Sequence, residues 1–120
     1  MNNREKIDLI QKYKNVTIAS LDKVLDSLIS LQNQYSPELI KQAGFTINDK
    51  EEKILSDYSK SVPIYEAIKH KVLNNSEITT YEINLIAISM LFASTLMKSQ
   101  GENMIRSSTK ISEIANNLMT

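Results

Sequence analysis

The amino-acid sequence predicts an all-α protein, a helical bundle formed by one domain over residues 1–120. Three observations support this prediction. Apolar residues recur every three or four positions over most of the chain, which is the period of a helix that is buried on one side. Residues that commonly cap helices stand directly before these stretches. The sequence also has no Asn-Gly or Asp-Gly pair of the kind that joins two neighbouring strands.

The first predicted element is a long outer helix over about residues 4–35. Nine positions within it alternate spacings of three and four, and seven of the nine residues are apolar. Lys14 and Thr17 interrupt this apolar stripe. The cluster at residues 16–18 is β-branched, and such residues are mediocre helix formers. We therefore expect a kink or a short break in the helix at this point.

A short helix is predicted next. Ser36 can act as its N-cap, and Pro37 is suited to the first turn, where its missing N–H is not needed. Pro37 also disfavours helical geometry at Ser36 and so ends the first long helix. Gly44 can take the left-handed conformation that commonly follows the end of a helix.

The middle of the chain is expected to contain one or two further short helices. Asn48 or Thr46 would cap the first of them. The residues expected to face inward from it are Ile54, Leu55 and Tyr58. Its first turn is acidic, which the positive end of the helix dipole favours. A second would start at residues 61–63, because Pro63 suits a first turn. The acidic residues of the first turn are Asp49, Glu51 and Glu52.

A second long outer helix is predicted over about residues 80–119, either continuous or broken at Gly101. It begins with a capping box, since Thr79 is followed three residues later by Glu82. Apolar residues recur every seven positions throughout the segment. Within it, residues 85–97 form the most apolar run and are expected to be a core helix that is buried on nearly all faces. The row of seven-residue spacing is Ile83, Met90, Met97, Met104, Ile111 and Leu118.

The length of this last helix leads to a predicted interaction surface. A continuous helix over residues 80–119 would be about 60 Å long, whereas a compact chain of this size is about 35 Å across. Either the helix breaks, or its protruding apolar seam is covered by a partner, most simply by a second copy in a homodimer. The residues predicted for this partner or self-association surface are Met97, Met104, Ile111, Ile114 and Leu118.

The composition argues against several classes of function. Fourteen Lys and Arg residues balance fourteen Asp and Glu residues, so the chain lacks the basic excess of a general nucleic-acid binder. It has no cysteine, which excludes disulfides and Cys-ligated zinc. The single histidine, His70, has Glu66 at helical spacing, a pair typical of a helix surface. We therefore predict that the protein is not an enzyme and that it binds no metal, cofactor or small-molecule substrate.

The leading functional prediction is a non-enzymatic protein that acts by binding another protein or itself. It would be a small regulator, inhibitor, immunity protein or assembly factor, of the kind that phages and other mobile elements encode. The absence of cysteine and of a signal-peptide pattern indicates the cytoplasm.

Two alternatives remain open. One is a DNA-binding transcriptional regulator with a helix-turn-helix near residues 38–58, although an acidic second helix would oppose contact with phosphates. The other is a membrane-associated helical protein that uses residues 85–97, although a run of this length is more typical of a core helix. Neither nucleic acid nor a membrane is the expected partner.

Overall fold

The computed structural model describes residues 1–34, 37–99 and 105–120. Within these ranges the chain is helical and has no strand, which confirms the prediction of an all-α bundle. The side chains it leaves undescribed there are those of Gln34, Pro37, Leu55, Tyr58, Ile105 and Arg106. The helices of the described ranges are α1 (Asn3–Lys12), α2 (Lys14–Gln34), α3 (Pro37–Gln42), α4 (Asp49–Leu73), α5 (Thr80–Ser99) and α6 (Ile105–Met119).

The first long helix is two helices, because the chain leaves helical geometry at Tyr13. This residue has φ −108° and ψ 43° and separates α1 from α2. The buried hydroxyl of Thr17 donates to the carbonyl oxygen of Tyr13 over 3.0 Å. A threonine that bonds four residues back in this way commonly bends a helix. The expected break is therefore present, one residue before Lys14.

α4 is one long helix where the sequence predicted two short ones. It runs through Pro63, so the prediction of a new helix start at residues 61–63 is wrong. A proline inside a helix costs one backbone hydrogen bond, here to the carbonyl of Ser59, but its φ angle is compatible with the helix. The N-cap prediction is confirmed, because the side-chain oxygen of Asn48 accepts from the backbone N–H of Glu51 over 2.8 Å.

α5 and α6 lie side by side, so of the two alternatives for residues 80–119 the continuous helix is wrong and the helix is broken between Ser99 and Ile105. The hydroxyl oxygens of Ser94 in α5 and Ser112 in α6 are 2.6 Å apart. In a continuous helix, residues 18 positions apart would be separated by about 27 Å. The chain therefore folds back between these helices. Gly101, the predicted site of the break, lies outside the described residues.

α5 is the central helix of the bundle and packs mainly against α2 and α6. Its opposite side is uncovered, since Tyr81 and Ile88 are more than half exposed. Within residues 85–97 the exposed side chains are those of Ile88 and Thr95 alone, so the expected core helix is uncovered along one side. Among the described residues α5 alone is long and apolar enough to cross a membrane, a test that the core helix of a soluble protein also passes. Its buried apolar residues are Ile83, Ile86, Ala87, Met90 and Ala93.

A candidate protein-binding arm

The structure places the predicted interaction surface inside the molecule. Ile111, Ile114 and Leu118 are buried in the same cluster as the apolar residues of α5, because α6 folds back onto that helix. Met97 packs partly buried against this cluster, and Met104 lies outside the described residues. The chain itself covers the described part of this seam. The homodimer prediction thus loses the argument on which it was based, and the oligomeric state stays a prediction.

The exposed apolar residues are instead concentrated in the middle of the chain. Leu28 and Ile68 are buried, but no described side chain between them is. We call residues 29–67 the arm and the rest of the described chain the body. The arm consists of the end of α2, α3 and most of α4. The described side chains of this segment, which spans almost a third of the chain, therefore include none that is fully buried.

The side chains between α2 and α4 explain why the arm buries so little. The two helices are in contact, but α4 offers small polar residues at several of its half-buried positions. Serine removes little apolar area from water, so these contacts contribute little to stability. The half-buried serines of α4 are Ser56, Ser59 and Ser61.

Large apolar side chains stand exposed at the end of the arm, which we call the tip (residues 38–54). Phe45 is 70% exposed, and Leu39 and Ile54 are each nearly half exposed. An ion pair between Lys41 and Glu52, with Nζ and Oε1 3.4 Å apart, joins α3 to the first turn of α4 and brings this region together. Isolated exposed apolar residues are common, but here they share a segment that has no buried side chain.

Gly44 sets the direction in which the chain leaves α3. Its φ is +90°, and its N–H donates to the carbonyl of Lys41 over 3.1 Å. The N–H of Phe45 donates to the carbonyl of Ile40 over 3.2 Å. This pair of bonds is the Schellman ending of a helix, which confirms the predicted role of Gly44. Phe45, the residue that follows this turn, has its side chain largely in solvent.

The tip contains four acidic and three basic residues, which gives it a net charge of −1. The side chains of Asn48 and Glu51 bond reciprocally at the start of α4, since Glu51 Oε1 accepts from Asn48 Nδ2 over 2.7 Å. The acidic first turn of α4 is confirmed, and the helix dipole favours it. Residues 29–67 contain six acidic and four basic residues, which gives the arm a net charge of −2. The tip therefore presents apolar groups among charged residues of both signs, with a small acidic excess.

Ile54 is the residue of this site that sequence reasoning placed wrongly. The helical period of α4 correctly identifies one of its apolar positions, and an inward direction was predicted for it. In the structure it is 47% exposed. Periodicity shows which residues share a face, but it cannot show whether another helix covers that face. No sequence signal identified Phe45 as an exposed residue.

The base of the arm is held to the body by a buried carboxylate. Glu82 Oε1 accepts from the backbone N–H of Thr79 over 3.0 Å and from Lys71 Nζ, in the last turn of α4, over 2.9 Å. The hydroxyl of Thr79 accepts from the N–H of Glu82, so the predicted capping box is confirmed. Burial acts to raise the pKa of Glu82, but the hydrogen bonds from Thr79 and Lys71 outweigh it and hold the pKa below its ordinary value.

A second set of contacts fixes the base of the arm from the side of α2. Lys14 Nζ donates to the carbonyl of Leu73 and to the side-chain oxygen of Asn75, each over 3.1 Å. Lys69 in α4 pairs with Asp22 in α2 over 2.6 Å. These bonds hold the end of α4 against α2, so the arm projects from a fixed base.

The remaining candidates from the sequence are His70, a metal site and a DNA-binding segment. His70 is exposed near the end of α4. In the ranges 1–34, 37–99 and 105–120 there is no group of three His, Cys, Asp or Glu residues placed to hold a metal ion. The segment at residues 38–58 does contain a helix, a turn and a second helix, but α3 has only six residues. DNA binding by this segment stays a prediction.

Comparison with known proteins adds no relative. No protein-family model matches the chain, and neither a curated protein nor a solved structure matches it. Proposals about its function therefore depend on the geometry of the chain itself.

Proposed function

We propose that the protein is a non-enzymatic binding protein that holds another protein through the tip of its arm. The observation that carries this proposal is the exposure of Phe45, together with that of Leu39 and Ile54, on a segment with no buried side chain. Aromatic residues are enriched among the few that dominate binding energy at protein interfaces. Such binding suits a small regulator, inhibitor, immunity protein or assembly factor.

The chemistry of the tip indicates what the partner offers. Exposed apolar side chains on a segment with a small acidic excess fit an apolar pocket whose rim is weakly basic, because complementary charge speeds association and excludes wrong partners. The net charge of −2 over residues 29–67 also opposes contact with nucleic-acid phosphates. A protein partner is therefore favoured over DNA for this surface.

The experiment that tests this proposal is affinity capture from a lysate of the source organism, with two matched variants. Phe45→Ser removes the most exposed apolar side chain of the arm. Tyr81→Ser removes an equally accessible aromatic side chain, 62% exposed, from the body. We expect Tyr81→Ser to retain the partner and Phe45→Ser to lose it, with an affinity at least about 30-fold lower, as for an interface hot spot.

Each alternative gives a different result in the same experiment. Equal capture of the partner by Phe45→Ser and the unmodified protein would contradict binding through the tip. Affinity for DNA that falls steeply with salt would support the regulator alternative. Recovery with membranes at high salt would support the membrane alternative. Light scattering on the purified protein distinguishes a second copy from a different protein as the partner.

A further inference from the structure

A second feature, separate from the arm, is an apolar groove in the body between α2, α5 and α6. It has a volume of about 220 Å³ and is open to solvent on one side. Its walls are formed by Val16 and Ala19 of α2, Ala93 and Met97 of α5, and Ile111 of α6. Protein interiors have few voids larger than a water molecule. A space of this size beside the core is therefore large enough to be a binding site.

The polar groups of the groove are few, and their placement is uneven. Ser20 also lines it, but its hydroxyl already donates to the carbonyl of Val16 over 2.8 Å. The side chain of Asn15 is exposed at its edge. Of the lining residues, all within the described ranges, Lys23 alone is charged. The four ion pairs in the described part of the chain do not involve Lys23.

We infer that this groove binds a small amphiphilic anion. The apolar tail of the ligand would lie against Ala93, Met97 and Ile111, and its anionic head group beside Lys23. The volume of the groove limits the size of the ligand's apolar tail. An engineered apolar cavity of about 150 Å³ binds benzene, so a groove of 220 Å³ suits an apolar tail of about seven to nine carbons. The charge of Lys23 determines the kind of head group, because its ammonium favours an anion over a neutral or cationic group.

The test uses octanoate as the probe and octanol and octylammonium as its neutral and cationic counterparts. Each is titrated into the full chain while backbone amide shifts are followed by NMR. We expect octanoate to bind with a dissociation constant on the order of 0.1–1 mM, as its size allows, with shifts at Val16, Ala93 and Ile111. Octanol should bind about two- to fivefold more weakly, the usual contribution of an exposed ion pair.

Two variants separate the roles of the ligand's head group and its apolar tail. Lys23→Gln should remove the preference for octanoate over octanol, whereas Lys60→Gln, on the exposed side of α4 in the arm, should leave it unchanged. Ala19→Leu should weaken the binding of both probes at least about tenfold, because the larger side chain covers the groove. Ala19 is exposed, so this variant is expected to fold.

Three results would overturn the inference. They are octanoate shifts that lie away from the groove, equal affinity of the unmodified protein for octanoate and octanol, and unchanged binding by Ala19→Leu. None of these variants touches the tip of the arm, so the outcome is independent of the proposed protein partner.

Discussion

Glu82 links three parts of the chain through one carboxylate, since it caps α5 and receives the side chain of Lys71 from α4. Burying this carboxylate without hydrogen-bond partners would cost free energy of folding. Its hydrogen bonds lower its pKa, so the folded protein binds a proton at this site less readily than the unfolded chain does. Stability contributed by Glu82 is therefore fully present above the unfolded pKa and is lost as the pH falls through the folded pKa.

Glu82→Gln tests this linkage, because glutamine keeps the shape of the side chain but cannot carry the charge. At pH 7 we expect the free energy of unfolding to fall by about 1–2 kcal/mol, the contribution of a cap together with a charge-assisted hydrogen bond. As the pH falls below the ordinary pKa of a glutamate and through the lowered pKa of Glu82 in the folded protein, the difference should shrink. Urea unfolding at several pH values measures it. A difference that stays constant from pH 7 to pH 3 would contradict the assignment.

Ser94 is the main polar contact between α5 and α6. Its buried hydroxyl donates to the carbonyl of Ser108 over 3.0 Å and lies 2.6 Å from the hydroxyl oxygen of Ser112. Ser94→Ala should lower the free energy of unfolding by about 1–3 kcal/mol, because buried partners are left without it. Thr95→Ala is the matched control, since its exposed hydroxyl bonds only within α5. The control should change stability by less than about 0.5 kcal/mol, and equal effects of both changes would count against the contact.

At the scale of elements, Pro63 makes α4 weaker than its length suggests. The ring removes one backbone hydrogen bond inside the helix, and nearby the hydroxyl of Ser61 donates to the carbonyl of Asp57 over 3.0 Å. Pro63→Ala restores the missing N–H but also makes the unfolded chain more flexible, which opposes the gain. We expect a net increase in the free energy of unfolding of about 1–2 kcal/mol. Denaturant unfolding measures it.

A control for this change is Glu66→Ala, at an exposed position on the same helix. It should alter stability by less than about 0.5 kcal/mol. If Pro63→Ala leaves stability unchanged or lowers it, the helix does not need the bond that proline removes, and the weakness of α4 has another origin.

The elements show where sequence reasoning succeeds and where it stops. The caps at Asn48 and Thr79 are predicted correctly, because a cap depends on residues only three positions apart, whereas Pro63, also a local signal, lies inside a helix that it was expected to start. The seven-residue row was misread as one helix. Its phase is kept from α5 into α6, although the chain folds back between them, so agreement of phase does not prove continuity. Contacts between helices, which decide what is buried, leave no such local pattern.

For the candidate site the same limit applies more strongly. The sequence placed an interaction surface at Ile111, Ile114 and Leu118 because it assumed that α6 protrudes. The structure buries these residues and exposes the middle of the chain instead. An apolar residue of the core and one of an interface look alike in a sequence, and only the fold distinguishes them. The arm therefore could not be predicted from the pattern of residues.

At the scale of the whole molecule, the arm makes the protein longer than its size requires. The radius of gyration is 16.4 Å and the extents are 50 × 36 × 23 Å, whereas a compact chain of this length has a radius of gyration of about 14 Å. The buried cluster lies entirely in the body. Among the described residues, full burial is thus concentrated at one end of the molecule, and the arm contributes half-buried side chains only.

This division predicts that the arm opens more easily than the body. Regions with few buried apolar contacts open at free energies well below that of global unfolding. We expect backbone amides of residues 29–67 to exchange hydrogen at least about 100-fold faster, relative to their intrinsic rates, than those of α5. Hydrogen exchange followed by mass spectrometry measures both segments in one experiment. A bound partner should slow exchange at the tip and leave α5 unchanged, since it supplies the burial that the arm lacks. Equal protection of arm and body in the free protein would show instead that the contacts between α2 and α4 stabilise the arm as firmly as the core stabilises the body.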